Sequence, residues 1–200
     1  MGSAFASRIA AAGHEVRVAS KDAAHAKKLA DATGHGAVAV PLSEVAAGAD
    51  VLIAATPAGS QIEALREAGD LRGVTVIEIA NPLKPDYSGI TVGHTTSFAE
   101  EVAKLFPQAK IVKGFNTTFA QVVREAPDFG GRRPTVFLAG DEHVAKSKAS
   151  ELATSIGFEA VDAGPLSNSR YLEPMGFLNI YLGYTAKWGT GIAPAWLRNG

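Results

Sequence analysis

The 200-residue chain contains no cysteine, which excludes disulfides, thiolate nucleophiles and cysteine metal ligands. Its 19 Lys and Arg are balanced by 20 Asp and Glu, so it lacks the basic excess typical of nucleic-acid-binding proteins. Long apolar runs are also missing, and stretches such as 51–55 fall far short of the ~18 residues of a membrane span. The N-terminus shows no basic segment followed by an apolar block, as a signal peptide would. We therefore predict a cytoplasmic protein that binds neither nucleic acid nor a membrane.

Recognisable catalytic constellations are missing as well. The five histidines show no metal-ligand spacing such as H-E-x-x-H. No G-x-S-x-G turn marks a serine nucleophile. We therefore assign no catalytic side chain and no metal site, and we expect any chemistry to be carried by bound cofactors.

Strand-like and helix-like segments alternate along almost the whole chain, and a hydrophobic content of 46% is enough to bury a core. The predicted strands cover 14–19, 36–40, 50–55, 74–79, 110–115, 134–138 and 158–161, and the predicted helices cover 2–12, 23–32, 43–47, 59–68, 97–105, 142–156 and 167–187. This alternation predicts an α/β fold: a Rossmann-type doubly wound, mostly parallel sheet with a small C-terminal helical part. We place the Rossmann domain at 1–163 and the helical segment at 164–200.

The chain begins inside what reads as the first helix of such a fold. A strand and a glycine-rich turn normally precede that helix, and Gly2 would be the third glycine of the turn, the one that allows close helix–strand packing. A strand missing at this point would be central in the sheet. We interpret Met1 as an internal methionine of a longer chain. The alternative is that the strand is truly absent and that the chain binds a dinucleotide poorly or not at all.

Ser20 and Lys21 follow the second strand of the expected fold, where NAD-specific proteins carry an Asp or Glu that binds the ribose hydroxyls. A hydroxyl and a cation suit the 2′-phosphate of NADP instead, and this position holds no carboxylate that would repel the phosphate. Asp22 is better placed as the N-cap of the next helix. The sequence therefore predicts NADP, and the alternative is a solvated strand end.

Small polar residues and prolines follow three more of the predicted strands. Thr56 and Pro57 come after the strand at 50–55, Asn81 and Pro82 after the strand at 74–79, and Asn116 after the strand at 110–115. Ligands of parallel sheets bind beyond the carboxyl ends of the strands. We therefore expect these residues to line one rim of a binding crevice.

The predicted helix over 167–187 is apolar nearly all round. A helix of that kind must be buried, either within the domain or against a second subunit. We therefore predict that this helix is a dimer contact.

Four strings, GHEVRVASK, NPLKPDYSG, VKGFNT and DAGPLSNSRYLEP, together resemble the NADP oxidoreductases that use the deazaflavin coenzyme F420. The last string is the most specific, and the resemblance extends over most of the chain. It implies a Rossmann domain with a small C-terminal helical part, a homodimer, and reversible hydride transfer between NADPH and oxidised F420.

The same resemblance implies roles for individual residues. By matching position, Ser20 and Lys21 would hold the 2′-phosphate, Gly2 and Ser3 would lie at the pyrophosphate, Thr56 and Pro57 along the cofactor, Asn81, Pro82 and Asn116 near the nicotinamide, and Pro165, Leu166 and Ser167 beside the deazaflavin.

Two other functions stay open. The VKGFNT string also matches a wider branch that includes the cytosolic domain of six-transmembrane metal reductases, which pair NADPH with a flavin. An NADPH-dependent flavin or ferric reductase is therefore one alternative. A non-catalytic NADP-binding redox sensor, which keeps the fold without the second cofactor, is the other.

Overall fold

The computed structural model describes residues 1–126 and 128–196. The strands are β1 (Arg17–Val18), β2 (Val38–Ala39), β3 (Val51–Ala54), β4 (Thr75–Glu78), β5 (Lys110–Lys113), β6 (Thr135–Gly140) and β7 (Glu159–Asp162). The α-helices are α1 (Gly2–Ala11), α2 (Ala23–Thr33), α3 (Ala58–Glu67), α4 (Phe98–Leu105), α5 (Ala120–Glu125), α6 (His143–Ser155) and α7 (Ser169–Ile180). Short 3-10 turns occur at Leu42–Glu44 and Leu166–Asn168, and a π-helical turn, Tyr181–Thr185, continues α7.

The strands form a five-stranded sheet in the order β3-β4-β5-β6-β7 and a separate parallel pair, β1-β2. Every pairing is parallel except that between β5 and β6, which is antiparallel. This arrangement confirms the prediction of a mostly parallel, Rossmann-type α/β fold.

The five-stranded sheet lies between two apolar clusters. Phe5 of α1, Val122 of α5 and Ala149 of α6 belong to one cluster, whereas Leu65 of α3 and Val102 of α4 belong to the other. All residues of β4 and β6 are buried, without the alternation of a half-exposed sheet. Continuous burial of this kind is typical of strands covered by helices on both faces.

Several elements differ from the sequence-based prediction. β1 and β2 contain two residues each, shorter than the predicted segments 14–19 and 36–40, because they pair only with each other and Val38 stays 50% exposed. The predicted helix at 43–47 is a 3-10 turn at Leu42–Glu44. Helix α5 was not predicted, because its six residues carry no side-chain N-cap.

Helix α7 is buried on one face only. Leu172, Glu173, Gly176 and Asn179 form the buried face. The opposite face leaves a stripe exposed, with Tyr171 at 68%, Leu178 at 55% and Tyr181 at 48%. Within one chain, therefore, only one face of this helix shows the predicted burial. The division of the chain at 163/164 remains a prediction. No helix in the described part of the chain is long and apolar enough to cross a membrane.

Candidate functional site

The ends of β4 and β5 bring Asn81 and Asn116 into direct contact. Glu78 and Lys113 pair in the parallel register, so each asparagine follows three residues after a paired strand position. The Asn116 Nδ2 donates to the Asn81 Oδ1 at 2.9 Å, and the Asn81 Nδ2 donates to the Asn116 carbonyl at 2.7 Å. The structure therefore joins these two predicted residues into one rigid amide pair. Pro82, which follows Asn81, is buried.

A strained backbone leads into Asn116. Phe115 has a φ of +57°, a left-handed conformation that is unusual for a bulky residue. Its ring makes edge-to-face contacts with Phe5 at 4.9 Å and Phe158 at 5.5 Å between ring centroids. Such conformations persist where surrounding packing holds them, and they cluster at functional sites. The aromatic packing thus holds the turn that presents Asn116.

Helix α7 closes over the amide pair. The Asn116 Nδ2 also donates to the Leu172 carbonyl at 2.7 Å. A Cβ atom added to Gly176 would lie 2.5 Å from the Asn81 Oδ1 and 2.7 Å from the Asn116 Nδ2. Only glycine lets the helix approach this closely. The sequence analysis missed Gly176, and the signal for it was a glycine inside an otherwise continuous helical pattern.

Directly beneath the amide pair lies a buried ionic cluster of Lys113, Glu78 and Glu173, all fully inaccessible to solvent. The Lys113 Nζ lies 2.6 Å from the Glu78 Oε2 and 3.1 Å from the Glu173 Oε1, and it also donates to the Ala80 carbonyl. Burial raises the pKa of Glu78. The Lys113 ammonium lowers it, but by less than burial raises it. Two carboxylates therefore share one cation at the end of the sheet.

Glu173 extends this cluster to a second helix. Its carboxylate accepts hydrogen bonds from the backbone N–H of Phe98 at 2.9 Å and of Ala99 at 3.1 Å, at the beginning of α4. A negative charge is favoured there by the helix dipole. Glu173 thus ties α7 to both α4 and β5. The sequence analysis missed the cluster, although Glu78 and Lys113 stood out as charges within apolar strands.

The turn after β3 is held by a residue that the sequence analysis also missed. Gln61 of α3 is fully buried, and its Nε2 donates to the carbonyls of Ala54 at 2.8 Å and Thr56 at 3.2 Å. Thr56 and Pro57 themselves remain exposed at the rim. The predicted position of this pair at an accessible strand end agrees with the structure.

The N-terminus of α1 lies against the end of β3. A Cβ atom added to Gly2 would meet the Ala55 Cβ at 3.6 Å, which is an ordinary contact. The space beside Ala55 accommodates a methyl group, and the expected role of Gly2 in packing against a preceding strand stays a prediction. Ser3 is exposed, and no side chain caps the first turn of the helix.

Ser20 and Lys21 line a pocket of about 490 Å³, whose other lining residues are mostly apolar. Asp22 caps α2 as predicted, accepting from the N–H of Ala24 at 2.8 Å. The strand end itself holds no carboxylate, as the sequence analysis noted, but the fold brings one to Lys21. Its Nζ lies 2.9 Å from the Glu63 Oε2, and this hydrogen bond raises the pKa of Lys21. Helix α3 brings that carboxylate in from a distant part of the sequence.

Pro165, Leu166 and Ser167 form the turn that leads into α7. The Leu166 N–H donates to the Asp141 Oδ1 at 2.9 Å, and the Leu166 side chain is buried in the same cluster as Val102. Pro165 is exposed and Ser167 is partly exposed. Leu166 therefore anchors the turn, and its two neighbours remain accessible.

Comparison with known proteins shows which family the chain resembles. The sequence model of the family described as NADP oxidoreductase, coenzyme F420-dependent, matches residues 1–82. The F420-dependent NADP reductase of Methanothermobacter thermautotrophicus is 29% identical over 199 residues, an alignment that covers 90% of this chain and 84% of that protein. The chain therefore resembles this family, whose model matches its first 82 residues.

Other solved and curated proteins resemble this chain to different extents. A crystal structure of a candidate F420-dependent NADP-reductase from Arthrobacter sp. FB24 has a TM-score of 0.85 at 28% identity, covering 95% of this chain and 91% of that one. The metalloreductase STEAP3 of Rattus norvegicus is 34% identical over 106 residues, covering 53% of this chain. The chain spans only 20% of that metalloreductase.

The residues of this chain fit an anionic dinucleotide. The uncapped first turn of α1 offers backbone N–H groups of the kind that bind phosphate. Ser20 and Lys21 add a hydroxyl and a cation beside a largely apolar pocket. No cluster of metal-ligating side chains occurs among residues 1–126 and 128–196.

Proposed function

We propose that this chain transfers a hydride between NADP(H) and the deazaflavin coenzyme F420. The observation that carries the proposal is the amide pair of Asn81 and Asn116, which α7 holds rigidly at the strand ends. Hydride transfer requires two rings held at roughly 3–3.5 Å, and a preorganised crevice supplies that positioning. The nicotinamide, when bound, supplies the hydride, and the protein positions it and excludes water.

The proposed roles follow the chain around the crevice. Lys21 and Ser20 bind the 2′-phosphate through charge and a hydroxyl, and the first turn of α1, with Gly2 and Ser3, binds the pyrophosphate. The remaining residues line the two ring sites: Thr56 and Pro57 along the cofactor, Asn81, Pro82 and Asn116 at the nicotinamide, and Pro165, Leu166 and Ser167 at the deazaflavin.

The relatives favour F420 over a flavin as the acceptor. The alignment covers 84% of the F420-dependent NADP reductase but only 20% of the metalloreductase. The second candidate, an NADPH-dependent flavin or ferric reductase, is supported by the higher identity of 34% to that metalloreductase. A non-catalytic NADP-binding redox sensor would bind the nucleotide in the same way without reducing either acceptor.

Two measurements on the whole chain test the proposal. Calorimetric titration is expected to show binding of NADPH, and absorbance is expected to show NADPH-dependent reduction of F420 faster than that of FMN. Faster reduction of FMN would favour the second candidate. NADPH binding without reduction of either acceptor would favour the sensor, and a folded chain that binds no NADPH would contradict the proposal.

Replacement of Lys21 tests the nucleotide preference. Lys21→Ala is expected to weaken NADPH binding and leave NADH binding unchanged, because only NADPH carries the phosphate that the ammonium binds. Calorimetric titration of both nucleotides measures the difference. An equal loss for both would contradict the assignment of Lys21 to the 2′-phosphate. Lys148→Ala, on the distant helix α6, is the matched control for the lost charge.

We also propose that the chain forms a homodimer through an exposed stripe made of Tyr171 and Leu178 on α7 and Tyr181 on the π-helical turn that continues it. Large apolar side chains exposed together on one helix face are typical of association surfaces. Light scattering is expected to give a dimer mass, and Leu178→Glu is expected to shift the mass to the monomer. Val144→Glu, at an exposed apolar residue of α6, is the control. A monomer at high micromolar concentration would contradict the proposal.

A further inference from the structure

The ammonium of Lys21 already has carboxylate partners from another element. Its Nζ lies 2.9 Å from the Glu63 Oε2 and 3.9 Å from the Glu67 Oε1. All three side chains are at least half exposed, so water screens the interaction and the partners can separate. Lys21 must therefore leave Glu63, at least in part, to bind another anion.

The two carboxylates act from one helix face. Glu63 and Glu67 are four residues apart on α3, a spacing that places both on the same side of the helix. Glu67 also lines the pocket of about 490 Å³ that Ser20 and Lys21 line. Among the residues lining that pocket, Lys21 is the only cation and Glu67 the only carboxylate.

We propose that Glu63, assisted by Glu67, sets how strongly this chain prefers NADPH over NADH. The inference rests on the proposed function, in which Lys21 binds the 2′-phosphate. The phosphate of NADPH must compete with Glu63 for the ammonium, whereas the 2′-hydroxyl of NADH requires no such exchange. The ion pair therefore reduces the advantage of NADPH without affecting NADH.

The expected effect is modest, because exposed ion pairs change an equilibrium by about 1.5- to 5-fold. Glu63→Gln keeps the size of the side chain and removes its charge. We expect this variant to raise the ratio of NADPH to NADH affinity about two- to fivefold. Glu67→Gln is expected to raise it less, because Glu67 lies 3.9 Å from the ammonium rather than 2.9 Å.

Calorimetric titration of the full chain with NADPH and with NADH tests the proposal. Glu159→Gln is the matched control, because it removes the same charge from the exposed edge strand β7. The control corrects for any general gain in affinity for anionic nucleotides. An unchanged affinity ratio in Glu63→Gln, or an equal increase in Glu159→Gln, would overturn the proposal.

A double-mutant cycle tests whether Glu63 changes the nucleotide preference by acting on Lys21. If Glu63 acts by holding the ammonium, its replacement has at most half its effect in the Lys21→Gln background. An undiminished effect there would overturn the proposal, because Glu63 would then act on the phosphate directly.

The outcome also separates this inference from the proposed function. If the wild-type chain binds NADPH and Lys21→Ala removes the preference, the nucleotide site stands. If Glu63→Gln leaves the ratio of NADPH to NADH affinity unchanged in such a chain, only the proposed competition between Glu63 and the phosphate is overturned. A folded chain that binds neither nucleotide would instead contradict the function, and the competition with it.

Discussion

Removing the cation of the buried ionic cluster is expected to be the most destructive single change near the crevice. Lys113→Met keeps much of the volume of the side chain but leaves Glu78 and Glu173 without an ammonium. Both carboxylates are fully buried and lie 2.6 and 3.1 Å from the Lys113 Nζ. Breaking a buried ion pair in this way costs about 3–5 kcal/mol. A small domain has a total stability of about 5–15 kcal/mol, so the loss is a large share.

Glu173→Gln provides the contrast within the same cluster. Removing the charge of Glu173 leaves Lys113 and Glu78 as a pair of opposite charges, so no net charge stays buried. The glutamine amide keeps one acceptor oxygen, so one of the two N–H groups, that of Phe98 or that of Ala99, faces the amide NH2 and loses its hydrogen bond. An unpaired buried N–H costs about 1–3 kcal/mol, and we expect a loss in that range in the free energy of unfolding.

Urea unfolding followed by circular dichroism measures both variants, with the slope of the transition compared to confirm a common unfolded state. A cost below about 1 kcal/mol for Lys113→Met would refute the reasoning, because a buried charge pair broken on one side costs several times more. Equal costs for Lys113→Met and Glu173→Gln would also refute it. The cluster would then not depend on charge balance.

The stability loss caused by Lys113→Met is expected to change with pH in a defined direction. Burial already raises the pKa of Glu78 above its usual 4.5, and loss of the cation removes an interaction that lowers it. The folded state then binds more protons than the unfolded state, so stability falls as pH rises above about 4.5. We expect the deficit relative to wild type to grow between pH 4.5 and pH 8. A deficit that does not change with pH would contradict this account.

Two further predictions concern contacts of α7. Gly176→Ala is expected to destabilise the chain by about 1–3 kcal/mol, because its methyl group would lie 2.5 Å from the Asn81 Oδ1. The control Gly2→Ala, with a nearest contact of 3.6 Å, is expected to change stability by less than about 0.5 kcal/mol. Thermal unfolding compares the two variants, and equal effects would contradict the packing argument. Arg170 donates through its Nε and Nη2 to Glu100 at 2.9 and 2.6 Å, and these hydrogen bonds lower the pKa of Glu100. Arg170→Gln is therefore expected to destabilise the chain at pH 7, and to do so less as pH falls below 4.5 through the lowered pKa of Glu100. A loss of stability that stays constant in urea titrations down to pH 3 would refute the ion pair.

The accessible part of the candidate site was predictable because it depends on strand ends. The polar residues after β3, β4 and β5 follow buried strands directly, and parallel strands end at one edge of a sheet. The contact between Asn81 and Asn116 follows from that rule. The supporting residues were not predictable, because Gln61 and Gly176 resemble ordinary helix residues until their neighbours are known.

Local patterns in the sequence by itself determined most of the element types and some of their boundaries. Alternating strand and helix patterns required an α/β fold, and Ser97 begins α4 because its hydroxyl accepts from the Glu100 N–H at 3.2 Å, as its type and position predict. Such signals involve residues within one turn or one strand, so they are readable without knowledge of the rest of the chain.

Only the tertiary structure decided which distant residues meet. The antiparallel pairing of β6 with β5 and the approach of Glu63 to Lys21 join segments that no local pattern relates. Likewise, Glu173 of α7 and Lys113 of β5 meet only in the folded chain. These contacts depend on strand order and helix packing, which the whole core determines together. For that reason the sequence indicated a cation after the second predicted strand, and only the fold revealed the carboxylates that pair with it.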